Sequence, residues 1–238
     1  MSRSALIDAP KNRPIEGGDF DTEESPGVHS MSSDRGSQEA DRPMQTSEER
    51  LAAITVGERT PLNNTIRLVD YDPEWPTRFS WLATRIREAV SGKTAVLEHV
   101  GSTSVLGLCA KPIIDMVLAV ADSSDESSYV PALEACGFVL VIREPDRYEH
   151  RVLKFSDPDA HLHVFSRGCA EVDRMLAFRD RLRLDVADRR LYEEAKRALA
   201  SQTWKHVQNY ADAKSEVVRM ILERSKSNLG ASEERSGG

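Results

Sequence analysis

The stretch His99-Val100-Gly101-Ser102-Thr103-Ser104, followed by Lys111-Pro112-Ile113-Ile114-Asp115-Met116-Val117, decides the reading of this chain. One apolar strand, Ala95–Val100, runs into a Gly-Ser turn. A second, Ile113–Val120, begins just beyond it with a carboxylate among its first residues, and its nearly unbroken apolar run predicts cover on both faces. Glycine lets the backbone approach an anion, the serine hydroxyl and neighbouring N–H groups bind phosphate oxygens, and a strand carboxylate holds a divalent cation. An isolated Asp on a buried strand is costly unless it pairs with a Lys or Arg or binds a cation. The preceding Gly-Ser favours the cation.

Outward from this stretch the pattern predicts an α+β domain, a mixed β-sheet with helices packed on it and a helical C-terminal portion. Upstream, Thr65–Val69 reads as a short strand. Asp72 sits where a helix N-cap belongs, with Pro73 at the first helical position, and Trp75, Phe79, Leu82, Ile86 and Val90 follow at helical spacing. Downstream the spacing predicts a helix over about 125–136 stopped by Gly137. Strands follow at Phe138–Ile142, Tyr148–Phe155 and His161–Phe165, then helices over about 171–186, 188–200 and 205–224. Residues 1 to about 61, rich in Ser, Gly, Pro, Asp and Glu, read as a disordered acidic tail with a short helix near Ser47–Ile54. Ser225–Gly238 reads as a second flexible tail.

Charge is distributed unevenly. The first 60 residues hold 12 acidic and 7 basic side chains, so most of the net charge of −7 lies there and the expected domain is close to neutral. A nearly neutral domain argues against a dedicated nucleic-acid surface, which carries a cationic excess. Three cysteines at wide spacing form no metal or disulfide framework. With no signal peptide or membrane-length apolar segment, they point to a cytoplasmic protein with no membrane partner.

The run from His99 to Asp115 closely resembles the signature of the GrpB family, also called UPF0157. Tyr71-Asp72-Pro73-Glu74-Trp75-Pro76, His161-Leu162-His163-Val164 and Leu176-Ala177-Phe178-Arg179-Asp180 resemble further parts of it, over about residues 66–224. The resemblance implies a nucleotidyltransferase-like fold and, through that superfamily, transfer of a nucleotidyl group from a nucleoside triphosphate to an unidentified acceptor with Mg²⁺ or Mn²⁺. The family also resembles a module fused to dephospho-CoA kinase in some proteins, which implies a link to coenzyme A metabolism or an accessory role. One departure matters. Active members of the superfamily carry two carboxylates two residues apart on this strand, sharing a face, and the second position here is Val117.

The candidate site follows. Asp115 is the cation ligand. His161 and His163, also two apart on a predicted strand, complete the site as ligands or as a general base, or else are hydrogen-bonded at a sheet face. His99 is a further candidate. Gly101, Ser102, Thr103, Ser104 and Lys111 are expected at the phosphates. Arg179 and Lys214 fall on the apolar stripes of their helices, where a cation must find an anion or reach outward. They meet phosphate, or they pair with buried carboxylates. The remaining basic residues of the C-terminal helices, Lys196 among them, alternate with acids and read as solvated faces, and Trp204 reads as core. Three functions remain open: a transferase, a non-catalytic nucleotide or metabolite sensor, and a phosphohydrolase at a His/Asp metal site.

Overall fold

The computed structural model describes residues 47–58, 63–90 and 96–236, with 226–236 as backbone only. The expected tail over residues 1–61 therefore falls mostly outside the described residues. Its predicted helix, α1, spans Glu48–Ile54, capped by the Ser47 hydroxyl. The short strand β1, Asn64–Thr65, pairs antiparallel with β7, Thr203–Trp204. Helix α2 runs Trp75–Ala89. It starts later than predicted: the Asp72 carboxylate accepts from the Glu74 N–H at 2.9 Å, closing a turn ahead of the helix instead of capping its first turn.

Five strands form the main sheet, in the order β2-β3-β6-β5-β4. They are β2 (Val96–Val100), β3 (Ile114–Val120), β4 (Val139–Glu144), β5 (His150–Ser156) and β6 (Asp159–Ser166). Only β3 and β6 run parallel; the other neighbours are antiparallel, so the fold is mixed α+β. The short helix α3, Val130–Ala135, lies between β3 and β4. Helices α4 (Ala170–Leu184), α5 (Val186–Ala200), α6 (Val207–Ala213) and α7 (Ser215–Ser236) complete the chain. The single helix expected over 205–224 breaks at Lys214, whose N–H bonds back to the Ala211 carbonyl. Beyond the break α7 continues to Ser236, past the expected flexible start at Ser225, because extending a formed helix adds a backbone hydrogen bond per residue. Among the described residues no helix is long and apolar enough to cross a membrane, and the three cysteines are free.

Strand alternation sorts the side chains. Ile114, Met116, Leu118 and Val120 point to one face, where Trp75, Leu82, Ala83 and Ile86 of α2 and Leu133 of α3 bury them in the main core. The other face carries Asp115 and Val117. There Val100, Val117 and Phe165 pack against Val172 of α4.

Candidate functional site

The second face is only partly covered, and the gap lies over the start of β3. Register places His161 beside Asp115 and His163 beside Val117 across the parallel β3–β6 ladder. Asp115 Oδ1 lies 3.6 Å from His161 Nδ1 and 4.0 Å from His163 Nε2. On the opposite flank β2 ends at Val100, partnered with Asp115, and Gly101 turns the chain at φ +66°. A Cβ at Gly101 would sit 2.6 Å from Asp115 Oδ2, so both the backbone conformation and the carboxylate require glycine. The Asp115 side chain keeps 32% of its surface exposed. Burial alone would raise its carboxyl, but His161, foremost, and Lys111 outweigh that and hold it at about 2.

The charge of Asp115 acts on three lysines. Lys111 comes from the loop before β3, Lys196 from α5 and Lys214 from the break between α6 and α7. Lys111 and Lys214 place their Nζ atoms 5.8 and 4.7 Å from the ring centre of Tyr210. Neither has a hydrogen-bond or ion-pair partner among the described residues. Lys196 is 2% exposed, donates to the Cys109 carbonyl and lies 5.3 Å from the Tyr192 ring centre. Burial, with the charge of Lys214 nearby, pulls Lys111 down to about 8 and Lys196 to about 7; burial also lowers Lys214. Burial pushes the Tyr192 phenol up to about 12, with Ser102 pulling the other way. Gly101 thus lies against Asp115, whose charge also acts on Lys111, Lys196 and Lys214.

Other expected residues serve the scaffold. Arg179 is buried and already neutralised: Nη1 donates to Glu98 at 2.8 Å and to the His99 carbonyl at 3.1 Å, and Nε donates to Asp180 at 2.8 Å. It ties α4 to β2 through carboxylates, as in the expected alternative, but its partners are the half-exposed Glu98 and Asp180 and not a buried carboxylate such as Asp115. The Thr103 hydroxyl is buried between His99 Nε2 (3.0 Å) and the Ile113 carbonyl (3.2 Å). The Ser104 hydroxyl closes its own turn onto the Gly101 carbonyl at 2.6 Å. His99 turns to the other face and stacks on Phe79 at 4.8 Å, where burial lowers it to about 4. Trp204 packs with Tyr210 and donates to the Leu199 carbonyl.

Two groups escaped the sequence reading. Lys196 was placed on a solvated face, yet Tyr192, Lys196 and Ala200 lie at i, i+4 and i+8 and are all buried. That spacing, with a lysine between two apolar residues, was a readable signal. The second group is a chain of side chains behind His163. His163 Nδ1 lies 3.0 Å from His150 Nε2, His150 Nδ1 lies 2.7 Å from Glu144 Oε2, and Arg50 of α1 reaches Glu144 at 3.5 Å. Only strand pairing brings these together, so no local spacing announces it.

A divalent cation fits part of this arrangement. Asp115 and His163 offer an ionised carboxylate and an imidazole that burial holds neutral at about 3. Among the described residues, no group of three or more His, Cys, Asp and Glu side chains is disposed to hold a metal ion. Such an edge suits a cation that takes its other oxygens from water and substrate phosphate.

Known proteins place the chain in context. The GrpB protein family matches residues 65–224. A UPF0157 protein of Halalkalibacterium halodurans is 55% identical over 177 residues, 74% of this chain and 91% of that protein. The crystal structure of the conserved protein GrpB from Enterococcus faecalis superposes with a TM-score of 0.56 at 25% identity, covering 67% of this chain and 99% of that one. A dephospho-CoA kinase of Mycolicibacterium paratuberculosis is 31% identical over 102 residues, 42% of this chain but 23% of the kinase. On the family-model match and these relatives, the chain belongs to the GrpB (UPF0157) family.

Proposed function

We propose that this protein is a nucleotidyltransferase-like enzyme that binds a nucleoside triphosphate over Asp115 and transfers its nucleotidyl group to a small acceptor. The observation that carries the reading is the pair Lys111 and Lys214. Both are half-buried cations without an ion-pair partner among the described residues, and the charge of Asp115 acts on both. Buried charge of this kind is costly unless a ligand neutralises it, and a polyphosphate has the matching charge. Lys196 adds a third cation. Gly101 and Ser102 offer backbone N–H groups and a hydroxyl to phosphate oxygens. Mg²⁺ or Mn²⁺ held by Asp115 and His163 would supply the charge that lets an anionic carboxylate and phosphates share one site.

In this reading the acceptor hydroxyl bonds to the α-phosphorus, the bond to the β-phosphate oxygen breaks, and pyrophosphate leaves. His161, beside Asp115, takes the hydroxyl proton. The lysines stabilise charge on the phosphates, so catalysis is positioning and electrostatics. The test is thermal stabilisation by nucleotides with and without Mn²⁺, followed by pyrophosphate release. Asp115→Asn should abolish the Mn²⁺-dependent part of the stabilisation and lower turnover about 100-fold or more. Nucleotide stabilisation that is equal in wild type and Asp115→Asn would sink the assignment.

A second reading is favoured by one observation. Val117 fills the place of a second carboxylate; it is fully buried and packed against Val100, Phe165 and Val172. A site with one carboxylate suits a nucleotide- or metabolite-binding accessory domain without turnover, and the partial likeness to a dephospho-CoA kinase fits such a role. Binding without pyrophosphate release, whatever the acceptor, would favour it.

A further inference from the structure

We propose that Glu144 and His150 are positioning residues that hold His163 in its Nδ1–H tautomer, so that the Nε2 lone pair faces Asp115 and any cation shared with it. The cation part of this inference rests on the function proposed above; the tautomer part does not.

Glu144 ends β4 and His150 begins β5, paired in register across the hairpin. A carboxylate only accepts, so the 2.7 Å contact between Glu144 Oε2 and His150 Nδ1 puts a proton on that nitrogen. Arg50, which also bonds Asp146 at 2.6 Å, lies 3.5 Å from the other Glu144 oxygen and supports its charge. When His150 carries a single proton, that proton is on Nδ1 and Nε2 presents a lone pair. His163 Nδ1, 3.0 Å away, must then be the donor. The two imidazoles lie within 7° of parallel, and the Phe165 ring, 4.5 Å from His150 and also within 7° of parallel, keeps His150 flat.

The outcome reverses what His163 would otherwise choose. An imidazole facing a carboxylate places its proton toward it, in an N–H···O bond of about 2.7–3.2 Å. Here the Nε2 to Asp115 Oδ1 separation is 4.0 Å, too long for that bond and consistent with two electron-rich atoms facing each other. A free acceptor nitrogen beside a carboxylate is what a cation needs, and a carboxylate behind the histidine is the usual way to fix it. The support also reaches α1, through Arg50, ahead of the residues that the family model matches.

The test is histidine-selective ¹⁵N labelling of the full chain with long-range ¹H–¹⁵N spectra, which separate the two tautomers. Wild type should show His163 protonated at Nδ1, and an Nε2–H signal there would overturn the proposal without any variant being needed. His150→Phe keeps a flat ring against Phe165 but removes the acceptor, and should move the His163 proton to Nε2. His150→Gln returns an amide oxygen and should restore Nδ1–H. Binding of Mn²⁺ alone, followed by electron paramagnetic resonance, should weaken about 10-fold or more in His150→Phe and recover in His150→Gln. A tautomer that stays at Nδ1–H in His150→Phe would also refute the inference. If the tautomer shifts as expected but wild type binds no Mn²⁺, the relay stands and the cation reading of the site fails instead.

Discussion

The two faces of the main sheet use the same strands for opposite purposes. On β3, Ile114, Met116, Leu118 and Val120 face α2 and α3 in a closed apolar core, while Asp115, one residue over, is partly exposed on the other face beside His161. On β6, Leu162 and Val164 belong to the first face, and His161 and His163 to the second. The lesson is one of parity. Alternate residues of one strand fix where the sheet sits, and those between them fix what it can bind. Substitutions on the closed face should therefore change stability and leave the site chemistry alone, and those on the open face should do the reverse.

The largest effect tests the closed face. Trp75 is fully buried at the head of α2, so Trp75→Ala should cost about 3–5 kcal/mol in denaturant unfolding, through lost burial and the cavity left behind. In the fraction that remains folded, the His163 tautomer should be unchanged. A shift of the His163 signals at full folding would mean that the faces are coupled and the parity argument is wrong.

Next comes the residue that lies against Asp115. Gly101→Ala combines a backbone at φ +66° with a Cβ 2.6 Å from Asp115 Oδ2. It should destabilise by about 2 kcal/mol, from the left-handed conformation and the displaced carboxylate together. Unlike Trp75→Ala, it should also weaken Mn²⁺ binding at equal folded fraction. A loss of stability with metal binding intact would show that Asp115 can move aside, and that the turn and the carboxylate are not one unit.

The Gly-Ser turn, the carboxylate strand and the histidine strand were legible because each is a local pattern: an apolar run, a glycine, a polar residue at period two. Helix α2 was legible from its stripe, although Asp72 closes the preceding turn instead of capping the helix. The break at Lys214 was not, since Ala213-Lys214-Ser215 contains no glycine or proline to announce it. Arg179 shows a different limit. Its place on an inward face was readable, but its anion was not, because Glu98 is 81 residues away and reaches it only through the packing of α4 on β2. The relay from Glu144 to His163 depends on the register of three strands, which no single segment carries.

The smallest predicted effect concerns Lys196, and its sign is what matters. Burial lowers its pKa to about 7 from an ordinary value near 10.5. Between those values the unfolded chain binds a proton that the native protein does not, so stability should rise with pH from about 7 to 10. Lys196→Met should flatten that rise and, below pH 7, stabilise the ligand-free protein by about 1 kcal/mol, since a buried charge is replaced by an apolar chain of similar length. Anion binding should respond the other way. Inorganic pyrophosphate should bind wild type more weakly as pH climbs through 7 to 8, where Lys196 and then Lys111 lose their protons, and Lys196→Met should bind it weakly throughout. Calorimetry at pH 6, 7 and 8 reads both slopes. If pyrophosphate affinity does not change across that range, the lysines do not face the anion, and the open face is a second structural core with a polar lining.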